Sequence, residues 1–202
     1  MAVSLKKGQK IDLRKSSGET LRNVMIGLGW DPVEPPKKGG LLGLFAAKPP
    51  EIDCDASVLL CKNGKLENTA DVVYYNNLRH ASGAVQHMGD NLTGGGDGDD
   101  EQVKVDLERV PADYDRIVFV VSIYQAVQRN QHFGMIRNAF IRIVDSDNHT
   151  EMCRFDLTEN YDNMTAMVFG ELYRKDGGWK FNAIGQGTTD ASLAQIVKRY
   201  QQ

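Results

Sequence analysis

The sequence predicts an all-β protein, an antiparallel two-sheet β-sandwich with a short C-terminal helix and minor helical turns. Three observations carry this reading. Most periodic segments alternate apolar and polar residues with period two. Turn signals recur between them at Asn63-Gly64, Ser82-Gly83, Asp147-Asn148 and Gly177-Gly178. Long amphipathic helices, which an α/β fold would place between its strands, are missing.

Taken in order, "RNVMIGLGW" sets Val24, Ile26, Leu28 and Trp30 on one side of an extended chain. "ASVLLCK", "DVVYYNN", "RIVFVVSIYQA", "NAFIRIVD", "TEMCRFDL", "TAMVFGELYR" and "WKFNAIGQG" read as further strands, rich in Val, Ile, Phe and Tyr. "RIVFVVSIY" is apolar on both faces and is expected in the middle of a sheet, covered on both sides. Glu171 and Arg142 sit within such strands and are candidates for a pair across a sheet. The C-terminal "DASLAQIVKRYQQ" has the apolar stripe Leu193, Ile196 and Val197, with Asp190 as its expected N-cap and Lys198 and Arg199 at the negative end of its dipole. Residues 1–202 show no fixed repeat and no linker, so one domain is expected, with 32–51 as a Pro/Gly-bracketed loop insertion around an apolar tip, Leu41 to Phe45.

Bulk properties exclude several classes. With 24 basic and 27 acidic residues and a pI near 5.8, the chain lacks the broad basic field of a nucleic-acid binder. It has no run of eighteen apolar residues for a transmembrane segment. The N-terminus lacks the apolar region of a signal peptide, so a cytoplasmic location is expected. Cys54, Cys61 and Cys153 are widely spaced without a C-x-x-C, which points to reduced, buried thiols.

The chemistry concentrates in "GDNLTGGGDGDDE", residues 89–101, where five residues are glycine, five are acidic and none is basic. Asp90, Asn91, Asp97, Asp99, Asp100 and Glu101 are the oxygen donors that a hard cation such as Ca²⁺ takes in sets of about six to eight. The same composition suits a solvated acidic loop. Strand ends add Asp31, Asp53, Asp55, Asn76 and Asn77, and a sandwich clusters its loops at two ends, so these groups can converge. Carboxylates brought together without a cation would repel one another.

Enzyme signatures are missing. There is no EF-hand loop, no dinucleotide fingerprint or P-loop, no nucleophile elbow and no H-E-x-x-H, and His80, His87, His132 and His149 are scattered. Two alternatives to a non-enzymatic calcium protein stand beside it. A hydrolase could use the carboxylates to hold two metals that activate water. A Ca²⁺-triggered docking module could present Lys37, Lys38 and Lys48 with the apolar tip, residues 37–48, to a membrane or a membrane-associated partner.

"GLGWD" (27–31), "DCDASVLL" (53–60), "VVYYNNL" (72–78), "GAVQHMGDNLTGGGDGDDEQVKVDLERVP" (83–111), "IVFVVSIY" (117–124), "FGMIRNAFIRIVD" (133–145), "TAMVFGELYR" (165–174) and "WKFNAIGQG" (179–187) together resemble the TerD family, the tellurium-resistance and general-stress proteins of bacteria. The resemblance implies a stress-response β-sandwich with two Ca²⁺ sites near one end. Other tellurium-resistance proteins are among the partners it suggests. Carried over, the ligands would be Asp31, Asp53, Asp55, Asn76, Asn77, Asp90, Asn91, Asp97, Asp99, Asp100 and Glu101, with carbonyls near Thr93, Gly94 and Gly96. Two departures stand out: Gly95 replaces a frequently acidic position, and the 32–51 insertion is longer than in compact members.

Overall fold

Alternation along "NVMIGLGWDP" becomes a strand whose even positions, Val24, Ile26, Leu28 and Trp30, are all buried in the main core. The structure, a computed structural model, describes residues 2–15, 17–33, 52–89 and 98–202. Twelve strands are present among them: β1 (Val3–Leu5), β2 (Lys10–Asp12), β3 (Asn23–Pro32), β4 (Cys54–Cys61), β5 (Val72–Val73), β6 (Val85–His87), β7 (Glu101–Asp106), β8 (Arg116–Ile123), β9 (Ile136–Asp145), β10 (Thr150–Asp156), β11 (Ala166–Lys175) and β12 (Gly178–Thr188). They form two six-stranded sheets, ordered β1-β10-β9-β3-β7-β6 and β2-β12-β11-β8-β4-β5. All pairings are antiparallel except β1 with β10, which run parallel.

The expected sandwich is therefore the observed one. Inner faces of both sheets supply one core, including Phe119, Phe169, Phe181, Ile141 and Ile143. The doubly apolar strand β8 lies inside the second sheet. Its Ile117, Phe119 and Val121 enter the core between the sheets, while Val118 and Val120 join a second cluster on the outer face. Helix α2 (Leu193–Tyr200) covers that face, burying Ile196 and Val197. A short helix, α1 (Ala126–Arg129), and two 3₁₀ turns at Thr69–Asp71 and Phe133–Met135 are the minor helical elements.

Some local expectations are corrected. Asp190 does not cap α2: the N-cap position is Ser192, without a side-chain bond. Asp190 instead binds the Arg199 guanidinium, Nε to Oδ2 at 2.5 Å, and Gln195 reaches back to accept from the Ala191 N–H. Glu171 and Arg142 do not pair, because β11 and β9 belong to different sheets. Glu171 meets Arg116 at 3.0 Å, and Arg142 turns to Asp99 and Glu151. "DVVYYNN" is a strand only over Val72–Val73, since Tyr74 to Asn77 closes a tight turn with backbone bonds in both directions.

The three cysteines are free and buried, as their spacing suggested. Burial pushes the thiols of Cys61 and Cys153 up to about 12 from an ordinary 9.0. Their folded values lie above their unfolded ones, so their contribution to stability is complete below about pH 9 and lost as pH rises toward 12. Ellman's reagent at pH 8 is expected to leave the folded protein essentially unlabelled and to titrate all three thiols after denaturation.

Candidate metal centre

Antiparallel pairing brings the acidic strand ends together. In the first sheet, the end of β3, the start of β7, the start of β9 and the end of β6 share one edge of the fold. In the second, the start of β4, the end of β8 and the end of β5 share one edge. A single carboxylate shows that the two edges coincide. Glu101, first residue of β7, crosses the interior and accepts from the Ala56 N–H of β4 at 2.8 Å.

Glu101 points inward because it continues the alternation of Val103 and Val105, all buried. Its side chain is only 1% exposed, and His87 Nε2 lies 3.0 Å from the same oxygen. The Nδ1 of His87 accepts from the Gly89 N–H at 3.1 Å, so the ring proton sits on Nε2 and is donated to Glu101. A continuous chain of bonds thus runs from Gly89, beside the acidic loop, through His87 and Glu101 to β4. Sequence reasoning missed His87. The readable signal was its place on the apolar phase of "VQH", with Val85.

Around the start of β4 the field is strongly negative. The Cys54 thiol is held well above its ordinary value, first by burial and then by the charges of Asp55, Glu101, Asp53 and Asp100. Asp53 and Asp55 flank Cys54, and alternation places both on the face opposite the Cys54 and Ala56 side chains, which enter the core.

The first sheet presents its own group. Asp100 Oδ2 accepts from the Trp30 N–H at 2.7 Å, and its own N–H donates to the Leu28 carbonyl. The register steps two residues from Gly29 to Asp31 but three from Phe140 to Arg137, so the extra residue of this β-bulge lies in β9, and Asp31 keeps the phase opposite Trp30 in β3. Asn138, in the left-handed region at φ 55°, donates to Asp31 Oδ2 at 2.8 Å. Asp31 and Asp100 line a common cavity of about 310 Å³ with Arg142 and Arg154.

Asp99 is engaged elsewhere. Its carboxylate lies over Gly27, where an added Cβ would come within 2.4 Å of all three carboxylate atoms. Arg142 grips it with Nε to Oδ1 at 2.7 Å and a second guanidinium nitrogen to Oδ2 at 3.0 Å, and Gln102 adds a bond to Oδ2. Asn77 uses its amide to donate to the Val72 carbonyl, and Asn76 is exposed in the same turn. Asp90, Asn91, Thr93, Gly94, Gly96 and Asp97 lie outside the described residues, as do positions 34–51 of the insertion. Among the described residues, no three His, Cys, Asp or Glu side chains are placed to hold a metal ion by themselves.

The other buried histidine is structural. His80 Nε2 meets Asp71 at 3.1 Å, and the same carboxylate accepts from the Tyr114 hydroxyl. No helix among the described residues is long and apolar enough to cross a membrane.

Comparison with known proteins finds relatives over nearly the full chain. Stress response protein SCP2 of Bacillus subtilis (strain 168) is 51% identical over 201 residues, covering 99% of this chain and all of that one. Tellurium resistance protein TerD of an Alcaligenes species is 47% identical over 201 residues, covering 99% and 97%. A solved homologue of telluride resistance protein (TerD) from Streptomyces coelicolor A3(2) superposes with a TM-score of 0.63 at 20% identity, over 88% of this chain and 95% of that one, and shows the same fold. The family model of the TerD domain matches residues 1–200, and the chain belongs to the TerD family.

Proposed function

We propose that this protein is a non-enzymatic, calcium-binding member of the bacterial stress response associated with tellurite resistance. It would act as a sensor, buffer or scaffold through two Ca²⁺ ions at the acidic end of the sandwich. The observation that carries this reading is the meeting of two acidic strand ends: Glu101, next to Asp100 at the start of β7, accepts from the Ala56 N–H, next to Asp53 and Asp55 at the start of β4. The names of its relatives, a stress response protein and a tellurium resistance protein, support the cellular half of the proposal.

The donor chemistry fits a hard cation, being carboxylate, amide and carbonyl oxygen throughout. The described carboxylates do not complete a site alone, so the proposal requires oxygens from residues 90–97, where Asp90, Asn91 and Asp97 stand beside the carbonyls of Thr93, Gly94 and Gly96. Two groups of described residues would share the ions: Asp53 and Asp55 on the second sheet, and Asp31 and Asp100 on the first. Glu101 is the weaker ligand candidate, because its Oε2 already accepts from Ala56 and His87, and Asp99 is left out because Arg142 and Gln102 already engage both its oxygens. Bound Ca²⁺ would supply positive charge that offsets the repulsion among these carboxylates.

The non-enzymatic reading is supported by the fate of the one histidine near the cluster. Both ring nitrogens of His87 are occupied, by Gly89 and Glu101, within a side chain 1% exposed, which leaves it unsuited to activating water.

A thermal melt tests the proposal. Calcium in about hundredfold excess over its dissociation constants should stabilise the metal-stripped protein by about 2.7 kcal/mol for each ion bound. For a chain of this size that raises the melting temperature by roughly 5–10 °C per ion. Magnesium at the same concentration should produce a smaller shift, since it demands tighter octahedral geometry. No shift with calcium would overturn the reading.

A further inference from the structure

We infer that the cavity between α2 and the outer face of the second sheet binds a small organic ammonium ion, held by Tyr74, Tyr75 and Tyr124 over the Asp55 carboxylate. The cavity measures about 620 Å³, within the range of roughly 300–1,000 Å³ that small-molecule sites occupy.

Three tyrosines line it. The Tyr74 and Tyr75 rings stand 5.3 Å apart at 81°, forming a corner, and Tyr124 supplies a third ring. Aromatic faces are negative and attract a cation within about 6 Å of the ring centroid. Tyr124 already holds one: the Arg129 guanidinium lies 5.1 Å from its ring centroid. Tyr75 and Tyr124 are 43% and 41% exposed, so the cage opens to solvent.

The floor adds charge and hydrogen-bonding capacity. Asp55 lines it with the buried hydroxyls of Ser57 and Ser122. Lys198, exposed on α2, is the one basic side chain among the described lining residues, and with Arg129 on the Tyr124 ring it should weaken rather than assist binding.

Asp55 also belongs to the proposed calcium ligands, and a bound Ca²⁺ would offset its charge. The test is therefore run in EDTA, where failure leaves the calcium reading standing, and a failed calcium titration leaves this one standing. Choline is titrated into the full chain and followed by NMR of the tyrosine rings, beside its neutral isostere 3,3-dimethylbutan-1-ol. Choline should shift Tyr74, Tyr75 and Tyr124 saturably, with the isostere about fivefold weaker. Asp55→Asn and the surface variant Tyr75→Ala should weaken choline about threefold each, and Lys198→Ala should strengthen it; unchanged melting temperatures would verify that the variants are folded. Equal binding of the two probes, shifts away from these rings, or no shift at all would overturn the proposal.

Discussion

Glu101→Ala is expected to lower the melting temperature by roughly 10 °C. The carboxylate is almost fully buried and accepts from Ala56 N–H at 2.8 Å and His87 Nε2 at 3.0 Å, tying the first sheet to the second. Removing it leaves a buried backbone donor and a buried imidazole donor unpaired, and opens a void at the end of the core. Losing one partner of a buried polar network costs about 3–5 kcal/mol, and each kcal/mol moves the midpoint of a chain this long by about 2–4 °C. Glu101→Gln keeps an acceptor oxygen and should lose less. Because Glu101 is also a ligand candidate, the melts are compared in EDTA. A fall of under about 2 °C for the alanine variant would show that the bridge between the sheets is not structural.

Arg142→Met should come second, at about 2–4 kcal/mol. The Asp99 side chain is 1% exposed and both its oxygens face the Arg142 guanidinium in a paired, two-bond grip. Such forked pairs are the stronger kind of ion pair, and cutting one partner strands a buried carboxylate. Gly27 makes the room that the Asp99 carboxylate fills, since a Cβ at that position would overlap it. Asp99→Asn should cost less, and the double variant should fall short of the sum, because the two side chains act on one interaction. Strict additivity in chemical unfolding would contradict the pairing. Calcium stoichiometry should survive Arg142→Met, since Asp99 stands outside the proposed ligand set.

The strands were readable where periodicity was long. β3 shows its buried phase in Val24, Ile26, Leu28 and Trp30, and β8 shows two apolar phases because α2 covers its far side. Alternation tells which face a residue takes but not which sheet its strand joins, and that is why Glu171 and Arg142 were candidates for each other yet found Arg116 and Asp99. "DVVYYNN" has the composition of a long strand, but backbone bonds between Tyr74 and Asn77 close a turn that β propensity cannot foresee. At the candidate site, the acidic residue types were plain. What each one does was not. Asp99, Asp100 and Glu101 are consecutive, and they go respectively to an arginine in β9, a backbone amide in β3 and a backbone amide in β4. Those partners lie between 43 and 70 residues away in the chain, beyond the reach of any local pattern. The bulge in β9 opposite Gly29 to Asp31, with its left-handed Asn138, is likewise a product of strand pairing.

Calcium titration of the metal-stripped protein by isothermal calorimetry tests the central claim most directly. Wild-type protein should bind two ions with dissociation constants of roughly 10⁻⁷–10⁻⁵ M, and the Asp53→Asn/Asp55→Asn variant, folded by its circular dichroism, should lose at least one of them. An absence of calcium binding to the wild type, or an unchanged titration in that variant, would contradict the assignment of the acidic end as a calcium centre.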